Sequence, residues 1–169
     1  MTKEKNYFKF WWKSSNEHGV HSPFVFNLLT KGLYPKDSRW KKLAKKEAFP
    51  ERILAYYAPK HIATIGMEQE IAGTSAVVTC FKPSQGKSDL IWIGSSISQQ
   101  SELTSDILYA AMHNDTVLMF DRRKGNSVID QLWEDVVNDE RFIVTLDFYY
   151  FGLAFIRSEQ LKQHFTLRM

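Results

Sequence analysis

The rhythm of apolar and polar positions changes near residue 60. Upstream, apolar residues recur at helical spacing between helix punctuation. Ser22-Pro23 forms an N-cap followed by proline in the first turn, and Gly32 closes the run 24–31. Asp37 can cap a second, basic helix through Ala44, and Pro50 opens a third, over 51–58, which Pro59 stops.

Downstream, the apolar runs shorten. Strands are predicted at 61–65 ending at Gly66, at 76–81, at 90–93 ending at Gly94, and at 116–120. Ser101 can cap a helix through Met112. A second helix, 127–137, carries Ile129, Leu132, Trp133 and Val136 on one face. The segments 141–148 and 153–156 read as two closing strands with a tight turn around Gly152.

Strand and helix alternate from about residue 60 to 140, which implies an α/β fold with a mostly parallel sheet. The adjacent final strands imply an antiparallel edge. The length of 169 residues favours a single domain, with a helical arm over 1–58 and an α/β core over 59–169. Only about twenty residues separate Gly66 from Ser88, and each parallel crossover ordinarily takes a dozen or more. The sheet is therefore expected to be shortened, with 76–81 at an edge. A complete seven-stranded sheet would contradict that expectation.

Composition narrows the class. Apolar residues make up 44% of the chain, enough for a real core. The net charge of +3 gathers at Lys41, Lys42, Lys45 and Lys46 and at Arg122-Arg123-Lys124. So mild a balance does not argue for nucleic acid, and both clusters read as solvated surface. The single cysteine, Cys80, excludes an internal disulfide and lies in an apolar run, where a buried, inert thiol is expected. The aromatic cluster Tyr7, Phe8, Phe10, Trp11 and Trp12 is too short for a membrane span and has no cleavage-site pattern. It is expected to pack onto the domain or onto a second copy in a homodimer, with a membrane-surface contact the sharper alternative. A cytoplasmic location follows by default.

In a doubly wound sheet, ligands bind beyond the carboxyl ends of the strands. That puts Gly66-Met67-Glu68, Gly94-Ser95-Ser96 and Asp121-Arg122-Arg123 along one rim. His18 and His21 are spaced to share a helix face, which would suit a metal or a proton transfer. Gly19 and the Ser22-Pro23 cap favour instead a turn in which the histidines hydrogen-bond backbone. Ser84-Gln85-Gly86-Lys87 is only superficially like a phosphate-binding turn.

Several strings carry a resemblance. They are His18-Gly19-Val20-His21-Ser22-Pro23-Phe24, Tyr57-Ala58-Pro59-Lys60, Val117-Leu118-Met119-Phe120-Asp121, Leu132-Trp133-Glu134, Val144-Thr145-Leu146-Asp147-Phe148, Gly152-Leu153-Ala154-Phe155 and the ending Glu159-Gln160-Leu161-Lys162-Gln163-His164-Phe165. Together they resemble a bacterial family, typical of the Bacteroidetes, of class I S-adenosylmethionine-dependent methyltransferases. The resemblance covers the first 35 or so residues and Ser88 to the end, and is poor from Gly66 to Lys87. It implies a Rossmann-like core, here truncated.

The departures bear on activity. The family places an acidic residue and a glycine-containing turn after its first strand, to hold the cofactor's ammonium and admit its methionyl part. Here the acidic position is Thr64, and Gly66 is followed by Met67-Glu68-Gln69-Glu70. The ribose-binding acid is missing, because 76–81 runs into Lys82-Pro83. The metal-using relatives the family resembles place an aspartate after the fourth strand and a pair after the fifth. Here the fourth strand ends Trp92-Ile93-Gly94-Ser95-Ser96, and Arg122 stands beside Asp121, so no metal site is expected. Asp121 reads as a structural ion pair or a helix-entry contact.

These readings leave a degenerate methyltransferase-like protein without catalytic activity, acting in association or in binding a small molecule. No cofactor is expected. The alternative is an active S-adenosylmethionine-dependent O-methyltransferase with a rearranged site. There Glu68 or Glu70 would replace the missing carboxylate, the cofactor would contact Gly66, Glu68, Gly94 and Ser95, and Asp121 and His21 would be the catalytic candidates. An unrelated binding module is the remaining reading.

Overall fold

The computed structural model describes residues 3–16, 19–67, 71, 73–98 and 102–169. The chain divides into two compact units, Met1–Ala58 with Phe165–Met169, and Pro59–His164.

The first unit is helical. Helix α1, Lys3–Lys13, ends where the Ser14 hydroxyl donates to the Trp11 carbonyl at 2.8 Å. The expected burial of its aromatics is not found within the single chain: Phe8 is 67% exposed and Trp12 74%. Consecutive aromatics step around a helix about 100° at a time, so no one contact can cover them all. Trp11 meets the Arg168 guanidinium, 4.3 Å from its ring. The following Ser14-Ser15 is held by the end of the chain, through Ser15 N to Thr166 O at 2.9 Å and Arg168 N to Ser15 O at 3.0 Å.

Helix α2, Pro23–Asn27, is capped by Ser22, whose Oγ accepts from Val25 N, as its sequence predicts. Three other helix boundaries are corrected. Gly32 does not close the helix. It lies inside a wide π-helical turn, Leu28–Leu33, where a Cβ would meet the Tyr56 ring at 3.0 Å. Asp37 caps only the short 3-10 turn Ser38–Trp40, not a helix through Ala44. A helix continuing from Asp37 would stack Lys41 on Lys45 and Lys42 on Lys46, like charges one turn apart. Helix α3 spans Lys45–Tyr57, so Pro50 sits in its interior rather than opening it. The bond that Pro50 cannot make is offset by burial of Ala48, Phe49 and Ile53. Ala58, at φ 45°, ends the helix in the left-handed conformation, with its N–H on Leu54 O.

The second unit is α/β. Its strands are β1 His61–Ile65, β2 Val77–Cys80, β3 Ser88–Ile93, β4 Met112–Asp121, β5 Val144–Asp147 and β6 Phe151–Phe155, with β7 Gln163–Thr166 at the end of the chain. The sheet runs β2-β1-β3-β4-β6-β5-β7. The first four strands are parallel, and β6 is antiparallel to both β4 and β5. The expected shortening to fewer than seven strands is therefore wrong. The extra strand is supplied by β7, whose Gln163 N donates to Ile143 O at 2.8 Å; its polar sequence gave no strand signal. β2 does lie at the edge, as its short connections predicted.

Helices α4, Ser105–Ala110, and α5, Ser127–Asn138, complete the unit. Thr104 caps α4; the expected cap Ser101 lies outside the described residues. Ile129, Leu132, Trp133 and Val136 of α5 are buried together with Ala63, Ile91, Ile93, Leu118 and Phe120 from one sheet face. The β5–β6 turn is not at Gly152, which is inside β6. It lies at Phe148-Tyr149-Tyr150, where Tyr149 takes φ 70° and Asp147 Oδ1 accepts its N–H at 2.7 Å. Short side-chain caps of this kind allow a non-glycine residue to hold the left-handed form.

Among the described residues no helix is long and apolar enough to cross a membrane.

Candidate functional site

β1 and β3 are parallel neighbours with Ile65 opposite Ile93, so Gly66 and Gly94 leave the sheet side by side. Gly94 N donates to Ile65 O at 2.7 Å, and Ser96 N to Gly66 O at 3.1 Å. Gly66 has φ +60°, and a Cβ built there would lie 2.5 Å from Ile97 N. One built on Gly94 would lie 2.4 Å from Gly66 O and 2.7 Å from the Met67 sulfur. The sequence-predicted pair is thus brought together, but the space beside it holds the chain's own backbone and the Met67 side chain. Both glycines are needed for that approach, and neither side chain a larger residue would bring could be fitted without displacement.

The surroundings agree. Thr64, at the position where the family resemblance implies a carboxylate, donates to Thr79 O at 3.3 Å. Its cross-strand neighbour is Trp92, a buried indole. Ser95 and Ile97 offer their carbonyls to Asn126 Nδ2, at 3.2 and 2.8 Å, while Asn126 Oδ1 caps α5 at Val128 N. The loop after β3 is therefore tied to the start of α5. Glu68 and Glu70 lie outside the described residues. Among the described residues, the space beside the two glycines is thus filled by Met67 and Ile97, and Thr64 brings it no charge.

Asp121 ends β4 and is buried. Both its oxygens are taken by Arg123, with Nε to Oδ1 at 2.9 Å and Nη2 to Oδ2 at 2.7 Å, and the Arg123 amide also donates to Oδ1. The expected ion pair exists, with Arg123 rather than Arg122. Arg122 instead bridges Asp130 and Asp147, at 2.8 and 3.1 Å, joining α5 to the β5–β6 turn. With both oxygens occupied by the guanidinium, the carboxylate has its hydrogen-bonding directions committed inside the chain. Among the described residues no group of three His, Cys, Asp or Glu side chains could hold a metal ion.

The other named residues are dispersed. His21 is exposed beside the Ser22 cap, and His18 lies outside the described residues. Residues 84–87 form an exposed turn, with Gln85 N on Lys82 O. Cys80 is exposed rather than buried, because its edge strand meets solvent where a central strand would be covered.

One polar cluster escaped the sequence reading. Asp89 Oδ2 accepts from the amides of Lys60 and His61, both at 2.8 Å, and Oδ1 meets His113 Nε2 at 3.1 Å. The other ring nitrogen, Nδ1, accepts from Asp115 N at 3.2 Å, which assigns the proton to Nε2 and aims it at Asp89. Burial works to raise the Asp89 carboxyl. The two amides and His113 outweigh burial and hold it below its ordinary range. A signal existed: polar residues at the starts of β1 and β3, which parallel register sets opposite each other. The cluster sits at the amino ends of the strands, away from the rim where such sheets take ligands.

Comparison of the chain with models of protein families, with curated proteins and with solved structures found no match in any of the three.

Proposed function

We propose that this is a methyltransferase-like protein that does not catalyse methyl transfer and acts through binding or association. The observation that carries the reading is the closed approach of Gly66 and Gly94, with Ile97 backbone and the Met67 sulfur in the space beside them. A cofactor would have to displace packed chain there, and Thr64 offers its ammonium no charge. Losing a carboxylate–ammonium contact costs about 1.5–3 kcal/mol, and losing the ribose contact a similar amount, together ~100-fold or more in affinity. Calorimetry with S-adenosylmethionine is expected to show no low-micromolar binding. A low-micromolar dissociation constant would overturn the proposal. Glu68→Ala and Glu70→Ala would then identify the substitute seat of an active O-methyltransferase.

Association with a second copy is part of the same reading. It is supported by the exposed Tyr7, Phe8, Trp11 and Trp12 of α1. Light scattering of the full chain is expected to give a dimer, and Phe8→Ser with Trp12→Ser a monomer. A monomer at the outset removes this half of the proposal and leaves the first half standing.

A further inference from the structure

A cavity of about 640 Å³ lies wholly within the helical unit and far along the sequence from the rim glycines. It opens between the Ser38–Trp40 turn and helix α3. That size is typical of sites for small organic ligands. Its apolar wall includes Tyr34, Trp40 and Phe49. The polar atoms of two of these rings are already engaged: Tyr34 donates its hydroxyl to Arg168 O at 2.7 Å, and Trp40 its indole N–H to Glu51 at 2.8 Å. What the rings have left to offer is apolar surface.

The charged side chains of the lining are mostly cationic. Lys36, Lys41 and Arg52 border the cavity, and the one acidic side chain in the lining, Asp37, is held by Arg39 at 2.7 Å. That pairing keeps the Asp37 carboxyl below its ordinary range, through the Arg39 side chain first and the Arg39 amide second. Lys36 and Lys41 form no ion pair with any described residue. Arg52 lies over the Trp40 ring, 4.4 Å from its centroid, which joins the cationic and aromatic parts of the wall. Lys45 closes one side by donating to Met169 O at 2.9 Å.

We propose that this cavity binds an amphipathic organic anion, its apolar body against Trp40, Tyr34 and Phe49 and its carboxylate-type head facing Lys36, Lys41 and Arg52. An uncharged apolar ligand would leave the ammonium groups without a role. A cationic one would meet them as like charges. A nucleotide would bring a polar sugar against an aromatic wall. The site goes beyond the closed rim and holds whether or not S-adenosylmethionine binds there.

The test uses the full chain and the fluorescent aromatic anion 8-anilinonaphthalene-1-sulfonate. Saturable binding at one site per chain is expected, displaced by dodecanoate but not by dodecyltrimethylammonium, ADP or S-adenosylmethionine. Lys36→Glu with Lys41→Glu is expected to weaken binding by about tenfold or more, and added salt to weaken it in the unaltered chain but little in the variant. If that charge reversal lowers the melting temperature, Lys36→Gln with Lys41→Gln serves the same comparison. Phe8→Ser with Trp12→Ser is expected to leave the dye's affinity unchanged. Absence of a saturable site, displacement by the cationic amphiphile or by ADP, or loss of binding in the α1 variant but not in the lysine variants each overturns the proposal.

Discussion

Two places along the sheet use glycine for opposite purposes. On β6, Gly152 makes room for a ring: a Cβ there would sit 2.6 Å from Trp133 of α5. After β1 and β3, Gly66 and Gly94 make room for backbone, each excluding a side chain because chain already fills the place. In the sequence, all three glycines read as places of close approach. The difference teaches that a glycine records close approach and does not say what approaches. At β6 the answer is an aromatic side chain, with Phe120 in edge-to-face contact at 5.2 Å. At Gly66 it is the loop after β3.

The largest effect should come from breaking the ring side of that contrast. Trp133 is buried between Phe120 and Gly152, so Trp133→Ala is expected to cost about 3–5 kcal/mol in urea unfolding. Gly152→Ala overpacks the same place and should cost about 1–3 kcal/mol. The two should not add. In the Trp133→Ala background, Gly152→Ala should lose most of its cost, because the ring it strikes has gone. Full additivity would mean that Gly152 serves its strand and not Trp133.

Breaking the backbone side should cost somewhat less. Gly94→Ala drives a methyl toward a carbonyl oxygen, and the structure can answer only by shifting the Gly66 turn. A loss of about 1–3 kcal/mol is expected. A stable Gly94→Ala that abolished cofactor binding would show an open seat and reverse the functional reading.

Much of this architecture was legible because burial and periodicity coincide in it. The buried face of α5, the parallel run β1–β3–β4 and the edge position of β2 all follow from apolar spacing and connection length. β7 was not legible, since Gln163-His164-Phe165-Thr166 carries no apolar alternation and is a strand only through its partner. Nor was the interior position of Pro50, where tertiary burial overrides a local helix signal. At the rim, the sequence marked the residues that meet but not the filling of the space by Met67 and Ile97, which depends on a path no local rule sets.

The amino end of the sheet offers a pH-dependent comparison. Asp89 is held below its ordinary range by amides and by His113, with His61 also facing it at 3.7 Å. A depressed carboxyl contributes stability that is present above its unfolded-state value and is lost as the pH falls through the folded one. Asp89→Asn should therefore cost about 1 kcal/mol at pH 7, a modest figure because the group is partly in water. The difference between variant and unaltered chain should shrink below about pH 4, and a difference constant down to pH 3 would assign the loss to something other than the charge.

The smallest expected effect lies on the edge strand, the least covered part of the sheet. Cys80 is exposed there beside Val77, at 57%, and Val78, at 40%. Cys80→Ser should change stability by no more than about 0.5 kcal/mol, since no packing is lost. The same exposure makes the thiol a probe, and a disulfide reagent should modify the folded chain in native buffer nearly as fast as the unfolded one. Fast modification at high protein concentration would leave the β2 edge uncovered and confine self-association to α1. Slow modification that becomes fast on dilution would place the second copy along β2, where an unpaired edge is ready to accept another strand. The thiol thus separates two ways of making the same dimer, which light scattering by itself cannot do.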